Sequence, residues 1–513
     1  MFDGAAWQYN RNPSYIRCLL LTLILSDYLL RHLDKESKIP YNRQVYQLLR
    51  NAILEHVLPV NGKLPSSREL ATELGISRNT VLYAYEQLLA EGYVEGRSGS
   101  GTFVTDTAPH LVELERKQAS DAPPAEPGGP ILSQRGQQLV KSAGASPQQW
   151  GAFVPGVPDV TQFPYRIWNR LQNKAWQNPA PSALTYARGG GHMALREALS
   201  DHLKLARAVD CVPEQVVITA GIHQSIDLCM RLLGDPGDLA WLEDPCYWGT
   251  RNLLRASGLN FRAVPVDAEG LCPDAEDFKA VPRFIFLSPS HQYPLGMVMS
   301  LARRRLLLEY AKHHQCWIVE DDYDSEFRYS GRTIASLQGL DTSDRVLYMG
   351  TFSKTLFPGL RLGYLVLPLA LVKPFIVGME ELHRGGNLLV QATLAAFMEQ
   401  GFFTAHIRRM RAVYATRLSL LQQAVASRFA PELVTTTGSD AGLHVVLQLP
   451  AHCDDAAIAN AAEQAGIAVR PLSRYYHDHD RSLKGLVLGY GGVEDARIKP
   501  AFDILTDVIE RYL

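Results

Sequence analysis

The residues best equipped for chemistry lie in the stretch 350–363, which reads Gly-Thr-Phe-Ser-Lys-Thr-Leu-Phe-Pro-Gly-Leu-Arg-Leu-Gly. One amine, Lys354, stands among small and hydroxylic neighbours just past an apolar run, 345–349, whose composition predicts a buried strand. Arg361 follows seven positions later, and residues 364–367 predict a second strand. A lysine held at a strand end can form a Schiff base with an aldehyde, and Thr351, Ser353 and Arg361 could hold a phosphate beside it. For an isolated Lys-Thr pair an exposed loop is the simpler reading. The choice turns on what else the chain brings to the same place.

Four more short apolar runs, at 216–218, 240–242, 284–287 and 317–319, alternate with helical patterns such as 193–205. That alternation predicts a mainly parallel sheet covered by helices on both faces, with any ligand beyond the carboxyl ends of the strands. Thr-Ala-Gly-Ile-His-Gln follows the run at 216–218 and opens a helix, whose first amides suit a phosphate; Gly221, Ile222 and His223 sit there. After 240–242 comes Glu-Asp-Pro-Cys-Tyr, where Tyr247 could stack on a flat heteroaromatic ring or simply pack. After 317–319 comes Glu320-Asp321-Asp322-Tyr323-Asp324, four carboxylates in five residues. If buried, these need a cationic partner, such as a protonated pyridine nitrogen; a metal site or a solvated acidic turn are the alternatives.

The chain has 513 residues, 46% hydrophobic and 20% charged, which suits several globular domains with a large core. Its formal net charge is -2, so any attraction to nucleic acid must come from a local arrangement. The seven cysteines are scattered without a Cys-x-x-Cys pair, which implies reduced thiols in the cytoplasm. An apolar run at 18–25 is too short to span a bilayer. It lacks a small-residue cleavage site to follow it, so residues 1–35 read as an N-terminal extension, frayed or non-native over 1–26, with the ordered chain starting at Tyr28 to Leu33.

Residues 36–104 predict a small α+β domain. Helical spacing begins at Val45, and Leu-Pro-Ser-Ser-Arg-Glu-Leu-Ala places a serine cap before a short helix. Gly75 turns the chain, and Ser77 caps a second helix over 78–90 with Val81, Leu82, Tyr85, Leu88 and Leu89 as its expected buried face. This is a helix-turn-helix layout. The second helix opens on Ser77, Arg78, Asn79 and Thr80, side chains able to meet phosphates and base edges, and a hairpin with its tip at 96–100 follows. A protein-docking module is the alternative. Over 105–150 the pattern dissolves into a Pro- and Gly-rich tether with a reach on the order of 30–40 Å, and the large domain takes up 151–513.

Leu-Pro-Ser-Ser-Arg-Glu-Leu-Ala, Ser-Arg-Asn-Thr-Val and Gly-Ser-Gly-Thr-Phe-Val resemble the winged-helix reader of GntR regulators. The resemblance implies double-stranded DNA contact by Arg68, Ser77, Arg78, Asn79 and Thr80, with Gly99 and Ser100 in the wing, and paired half-sites for a homodimer. The large domain resembles the fold-type I aminotransferases, an α/β fold with a smaller C-terminal subdomain. That implies pyridoxal 5′-phosphate, with Lys354 as its Schiff-base amine, Asp321 at the pyridine nitrogen, Tyr323 at the phenolic oxygen and Tyr247 on the ring. Gly221, Ile222, His223, Thr351, Ser353 and Arg361 would surround the phosphate. Two segments depart from the aminotransferase pattern. Tyr293 stands where an asparagine belongs, and 486–490 lacks the usual carboxylate-binding arginine. Arg470 is the remaining candidate for an effector's carboxylate, with plain surface charge as its alternative. The union of both domains is similar to the MocR/GabR subfamily, which implies a cytoplasmic regulator that senses pyridoxal phosphate or a small amine or amino-acid effector. A catalytically competent aminotransferase with an accessory DNA-binding domain is the other expectation.

Overall fold

The computed structural model describes residues 25–34, 36–106, 131–141, 150–186, 189–329, 334–438, 441–478 and 482–513. The chain divides into two compact units, Met1–Gly129 and Pro130–Leu513.

In the first unit α1 (Tyr41–Leu54), α2 (Ser67–Leu74) and α3 (Arg78–Ala90) precede a hairpin of β1 (Val94–Arg97) and β2 (Gly101–Val104), paired antiparallel from Val94↔Val104 to Arg97↔Gly101. Ser66 and Glu69 form a reciprocal capping box at the start of α2, and Gly75, at φ 65°, ends that helix in the left-handed conformation. On α3 the buried side chains are Val81, Ala84, Tyr85 and Leu88; Leu89 is 50% exposed. The expected face is thus narrower by one row, because Ala84 rather than Leu89 completes the stripe from Val81 to Leu88. The ordered chain, expected to start at Tyr28 to Leu33, reaches back to Leu25 among the described residues. Residues 25–32 are helical, and Leu25 and Leu29, one turn apart, are buried in this unit's core with Leu49, Leu70 and Leu88. Residues 1–24 lie outside the described residues.

The second unit contains a helix, α4 (Gln134–Lys141), within the stretch expected to be a featureless tether; residues 107–130 and 142–149 of that stretch lie outside the described residues. Helices α5 (Tyr165–Gln177) and α6 (Met193–Arg207) lead into an eight-stranded sheet. Its strands in chain order are β3 (Val216–Thr219), β4 (Leu239–Asp244), β5 (Asn260–Asp267), β6 (Gly270–Leu271), β7 (Phe284–Leu287), β8 (Trp317–Asp322), β9 (Val346–Thr351) and β10 (Gly363–Val366). The spatial order is β3-β10-β9-β8-β7-β4-β5-β6. Pairing is parallel from β9 through β8, β7 and β4 to β5, whereas β10 runs antiparallel to both its neighbours.

Period-two alternation sends these strands' side chains into two cores. Val216, Ile218, Tyr348 and Tyr364 pack with Leu199 and Leu203 of α6, while Val217, Leu347, Met349 and Leu365 pack on the other side. There they meet Ile226 and Cys229 of α7 (Ile222–Leu233) and Phe375 of a later helix, Leu369–His383. Each such leucine or isoleucine contributes about 1.5–3 kcal/mol of burial. A smaller antiparallel sheet of β11 (Thr435–Thr437), β12 (His444–Gln448), β13 (Arg470–Pro471) and β14 (Gly485–Gly489), in the order β11-β12-β14-β13, forms the C-terminal subdomain.

Candidate functional site

The carboxyl ends of β3, β4, β8 and β9 open onto a cavity of about 360 Å³. Because β10 is antiparallel, its beginning lies at the same rim, which brings Arg361 there from a loop whose ends are tied by Phe352 N–H to Leu362 O at 3.1 Å. Lys354, Asp321, Tyr323, Tyr247, Ile222, His223, Thr351, Ser353, Arg361 and Arg470 all line this one cavity. Gly221 stands at its edge, at φ 106° before α7; a Cβ there would be 3.5 Å from an Arg361 guanidinium nitrogen.

Lys354 Nζ donates to the Gly156 carbonyl at 2.6 Å, so the segment around Gly156 closes one side of the cavity. Burial depresses the Lys354 pKa, with the Asp324 and Asp321 carboxylates pulling the other way. Burial and then the neighbouring Asp322 push the Asp321 carboxyl up to about 7, against the pull of Lys354. Asp321 Oδ1 is buried with no hydrogen-bond partner. A buried carboxylate oxygen left unpaired is costly, so this site is built for a cationic or proton-bearing group.

The acidic run is dispersed by strand alternation. Glu320 accepts from the Leu337 and Gln338 amides at 2.8 and 2.9 Å. Asp322 accepts from Arg207 Nε at 2.7 Å and from the Tyr348 hydroxyl at 2.6 Å. Asp321 alone turns to the cavity from within the strand, and Asp324 reaches His291 Nδ1 at 3.0 Å. Glu320, Asp322 and Asp324 thus have separate partners, and among the described residues no three His, Cys, Asp or Glu side chains are grouped so as to share a metal.

Tyr247 is locked by its neighbours. Its hydroxyl lies 2.9 Å from His223 Nε2, and a Cβ on Gly249 would stand 2.3 Å from its ring, so no side chain fits at that position. Arg251 is committed to the Tyr476 carbonyl at 3.0 Å. Tyr293, in the asparagine position, meets the Tyr475 hydroxyl at 3.2 Å, and the charge of Arg470 acts on both phenols. Residues the sequence did not single out for the site include Gly156, Trp248, Asp324, His444 and Tyr475. Of these only Asp324 carried a signal, as part of the acidic run; Gly156 comes from a loop, Trp248 from the start of the helix Trp248–Ser257, His444 from the small sheet and Tyr475 from the short helical turn Leu472–Tyr475.

In the first unit Arg68, Arg78 and Asn79 are exposed on α2 and at the start of α3. The Ser77 hydroxyl already caps α3, accepting from Thr80 N–H at 3.2 Å, and lies 2.8 Å from the Thr80 hydroxyl. Gly99, at φ 73°, and Ser100 form the hairpin tip.

Residues 41–104 match the bacterial regulatory proteins of the gntR family, and residues 165–484 match aminotransferase class I and II. Over 478 residues the chain is 38% identical to the probable rhizopine catabolism regulatory protein MocR of Rhizobium meliloti, covering 92% of this chain and 94% of that one. The chain belongs to the MocR-type subfamily of GntR regulators. A second relative is the pyridoxine biosynthesis transcriptional regulator PdxR of Corynebacterium glutamicum, 30% identical with 91% of this chain and 95% of that one covered. Among solved structures, the Pyrococcus horikoshii kynurenine aminotransferase, in a complex with PMP, superposes with a TM-score of 0.65. It is 26% identical, covering 79% of this chain and 99% of its own. The MocR-type architecture therefore joins a GntR helix-turn-helix domain to an aminotransferase-fold domain of the mainly parallel kind described above. No helix among the described residues is long and apolar enough to cross a membrane.

Proposed function

We propose that this MocR-type transcriptional regulator reads a cytoplasmic amine or amino acid through pyridoxal 5′-phosphate held in the 360 Å³ cavity. The reading is carried by one observation: the partnerless buried oxygen of Asp321 lines the same cavity as the depressed amine of Lys354. The cofactor is pyridoxal 5′-phosphate, which supplies an aldehyde and an electron-withdrawing ring when bound. Lys354 is the amine that takes the aldehyde, Asp321 holds the ring nitrogen cationic, Tyr323 donates to the phenolic oxygen and Tyr247 covers the ring. The Ile222 and His223 amides at the start of α7, beside Gly221, meet the phosphate with Thr351, Ser353 and Arg361. Arg470 holds the carboxylate of a small effector, with Tyr475 and Tyr293 beside it.

DNA is held by Arg68, Arg78, Asn79, Ser77 and Thr80, with Gly99 and Ser100 along the backbone, and a homodimer presents two such units to paired half-sites. An effector acts by binding one arrangement of the dimer better than another. The test is a gel shift with the DNA upstream of this protein's own gene, run beside a steady-state assay with an amino donor and a keto-acid acceptor. A shift without multiple turnover supports the regulator. Turnover without a shift overturns it in favour of an aminotransferase, a reading favoured only by the completeness of the Lys354, Asp321 and Tyr323 set. A single half-reaction fits the regulator with partial transamination. Arg78→Ala, which leaves a helix N-terminus whose cap is supplied by Ser77, is expected to weaken DNA binding by about 1–3 kcal/mol in a fluorescence anisotropy titration.

A further inference from the structure

His291 does not line the cavity, yet one of its nitrogens is bound to two groups that do. Its Nδ1 lies 2.9 Å from the Tyr323 hydroxyl and 3.0 and 3.2 Å from the two Asp324 oxygens. The ring is 3% exposed and Asp324 is 1% exposed. It is also held in a slot that admits nothing larger. A Cβ on Gly442, at φ 80°, would stand 2.2 Å from His291 Cε1 and 2.6 Å from Asp324 Oδ2, and one on Gly296, at φ 83°, would stand 3.2 Å from Nε2. The Gly442 carbonyl is in turn pinned by the hydroxyls of Tyr490 and Tyr329. From β12 the ring of His444 comes within 5.3 Å, but its Nε2 is engaged by the Pro294 carbonyl, and burial, reinforced by His291, holds its pKa down to about 4. Tyr293, Asp321, Lys354, Glu243 and Glu326 also act on this cluster.

A carboxylate can only accept, so the His291 nitrogen that faces Asp324 must carry a hydrogen. The Tyr323 hydroxyl at the same nitrogen can then only accept from it. Its own proton is left for the cavity. The geometry points to His291 and Asp324 as positioning residues that fix Tyr323 as a hydrogen-bond donor toward the oxygen of the bound ring. This rests on the pyridoxal-phosphate reading above. It assigns a role to Asp324 and to the histidine of Ser-Pro-Ser-His-Gln that neither the acidic run nor the Schiff-base lysine explains. If His291 and Asp324 orient the phenol, removing either weakens the donor and leaves more negative charge on the ring oxygen. The proton held nearby is then bound more tightly, and the cofactor's visible band titrates at higher pH.

The test is a spectrophotometric pH titration of full-length protein loaded with pyridoxal 5′-phosphate. His291→Leu and Asp324→Asn are each expected to raise the midpoint of the visible band by about one pH unit. The second removes the carboxylate charge that fixes the hydrogen on Nδ1, so the Tyr323 proton is no longer reserved for the cavity. His291→Asn, whose amide nitrogen falls near the position of Nδ1, is expected to stay close to wild type. Should His291→Leu fail to fold, Asp324→Asn and His291→Asn decide alone. A wild-type midpoint in Asp324→Asn, or equal shifts in His291→Asn and Asp324→Asn, would overturn the assignment. A wild-type protein with no visible band at all would overturn the cofactor reading instead, so the two failures are distinguishable.

Discussion

Lys354→Ala is expected to remove the visible band of the loaded protein completely while leaving the fold intact. The band reports a covalent bond between an amine and the cofactor's aldehyde, and among the described residues Lys354 is the one lysine that lines the cavity. Burial depresses its pKa, which raises the share of neutral, nucleophilic amine near neutral pH. Stability should change little, because the side chain's hydrogen bond to the Gly156 carbonyl is of the kind that contributes about 0.5–1.5 kcal/mol. Borohydride reduction followed by mass spectrometry gives the independent readout. Wild-type protein should carry the reduced cofactor on Lys354, and an unchanged spectrum in the alanine variant would exclude this residue.

Arg207→Met should produce the largest loss of stability, about 3–5 kcal/mol. The last residue of α6, it is 4% exposed and joins Asp322 at 2.7 Å, the Ser290 hydroxyl and the Ile334 carbonyl. Removing it strands Asp322 among carboxyls already pushed up by burial and by Asp322 itself, Glu320 to about 7 and Glu326 to about 8. A carboxyl whose folded pKa lies above its unfolded value favours folding at low pH and loses that contribution as pH rises. The deficit of the variant is therefore expected to shrink on acidification and grow toward neutrality. Thermal denaturation at two pH values measures this. The double variant Arg207→Met/Asp322→Leu should recover part of the loss, since it removes the stranded charge. A deficit independent of pH would show that packing, not charge, sets the cost.

Much of this was legible in the sequence wherever the signal was local. The buried strands announced themselves as unbroken apolar runs, and α3 was predicted over 78–90, the bounds it adopts. Most residues of the cavity could be named because they stand at the end of a strand of the parallel set or just after it; Arg361 instead precedes the antiparallel β10, and Arg470 comes from the small sheet. What stayed hidden depends on distance along the chain. β5 carries Arg262 and Pro265 and is only partly buried, so it lacks the apolar run of its neighbours. The small sheet pairs His444 with Gly489, segments that neither repeat nor abut. The position of His291 against Asp324 depends on Gly442, more than a hundred residues later. Leu25 was set aside with the extension because one helical turn gives too little pattern to read; its burial comes from packing on Leu29 and the first unit's core.

The reversed direction of β10 makes the segment from Ser353 to Arg361 a ruler. Thr351 and Gly363 are register partners, so both ends of the segment are nailed to adjacent rails of the sheet. One inserted residue adds up to about 3.3 Å of chain, more than a hydrogen bond tolerates. The spacing of amine and guanidinium is thus fixed by chain length, and point substitutions within the ruler should be far better tolerated than any change in its count.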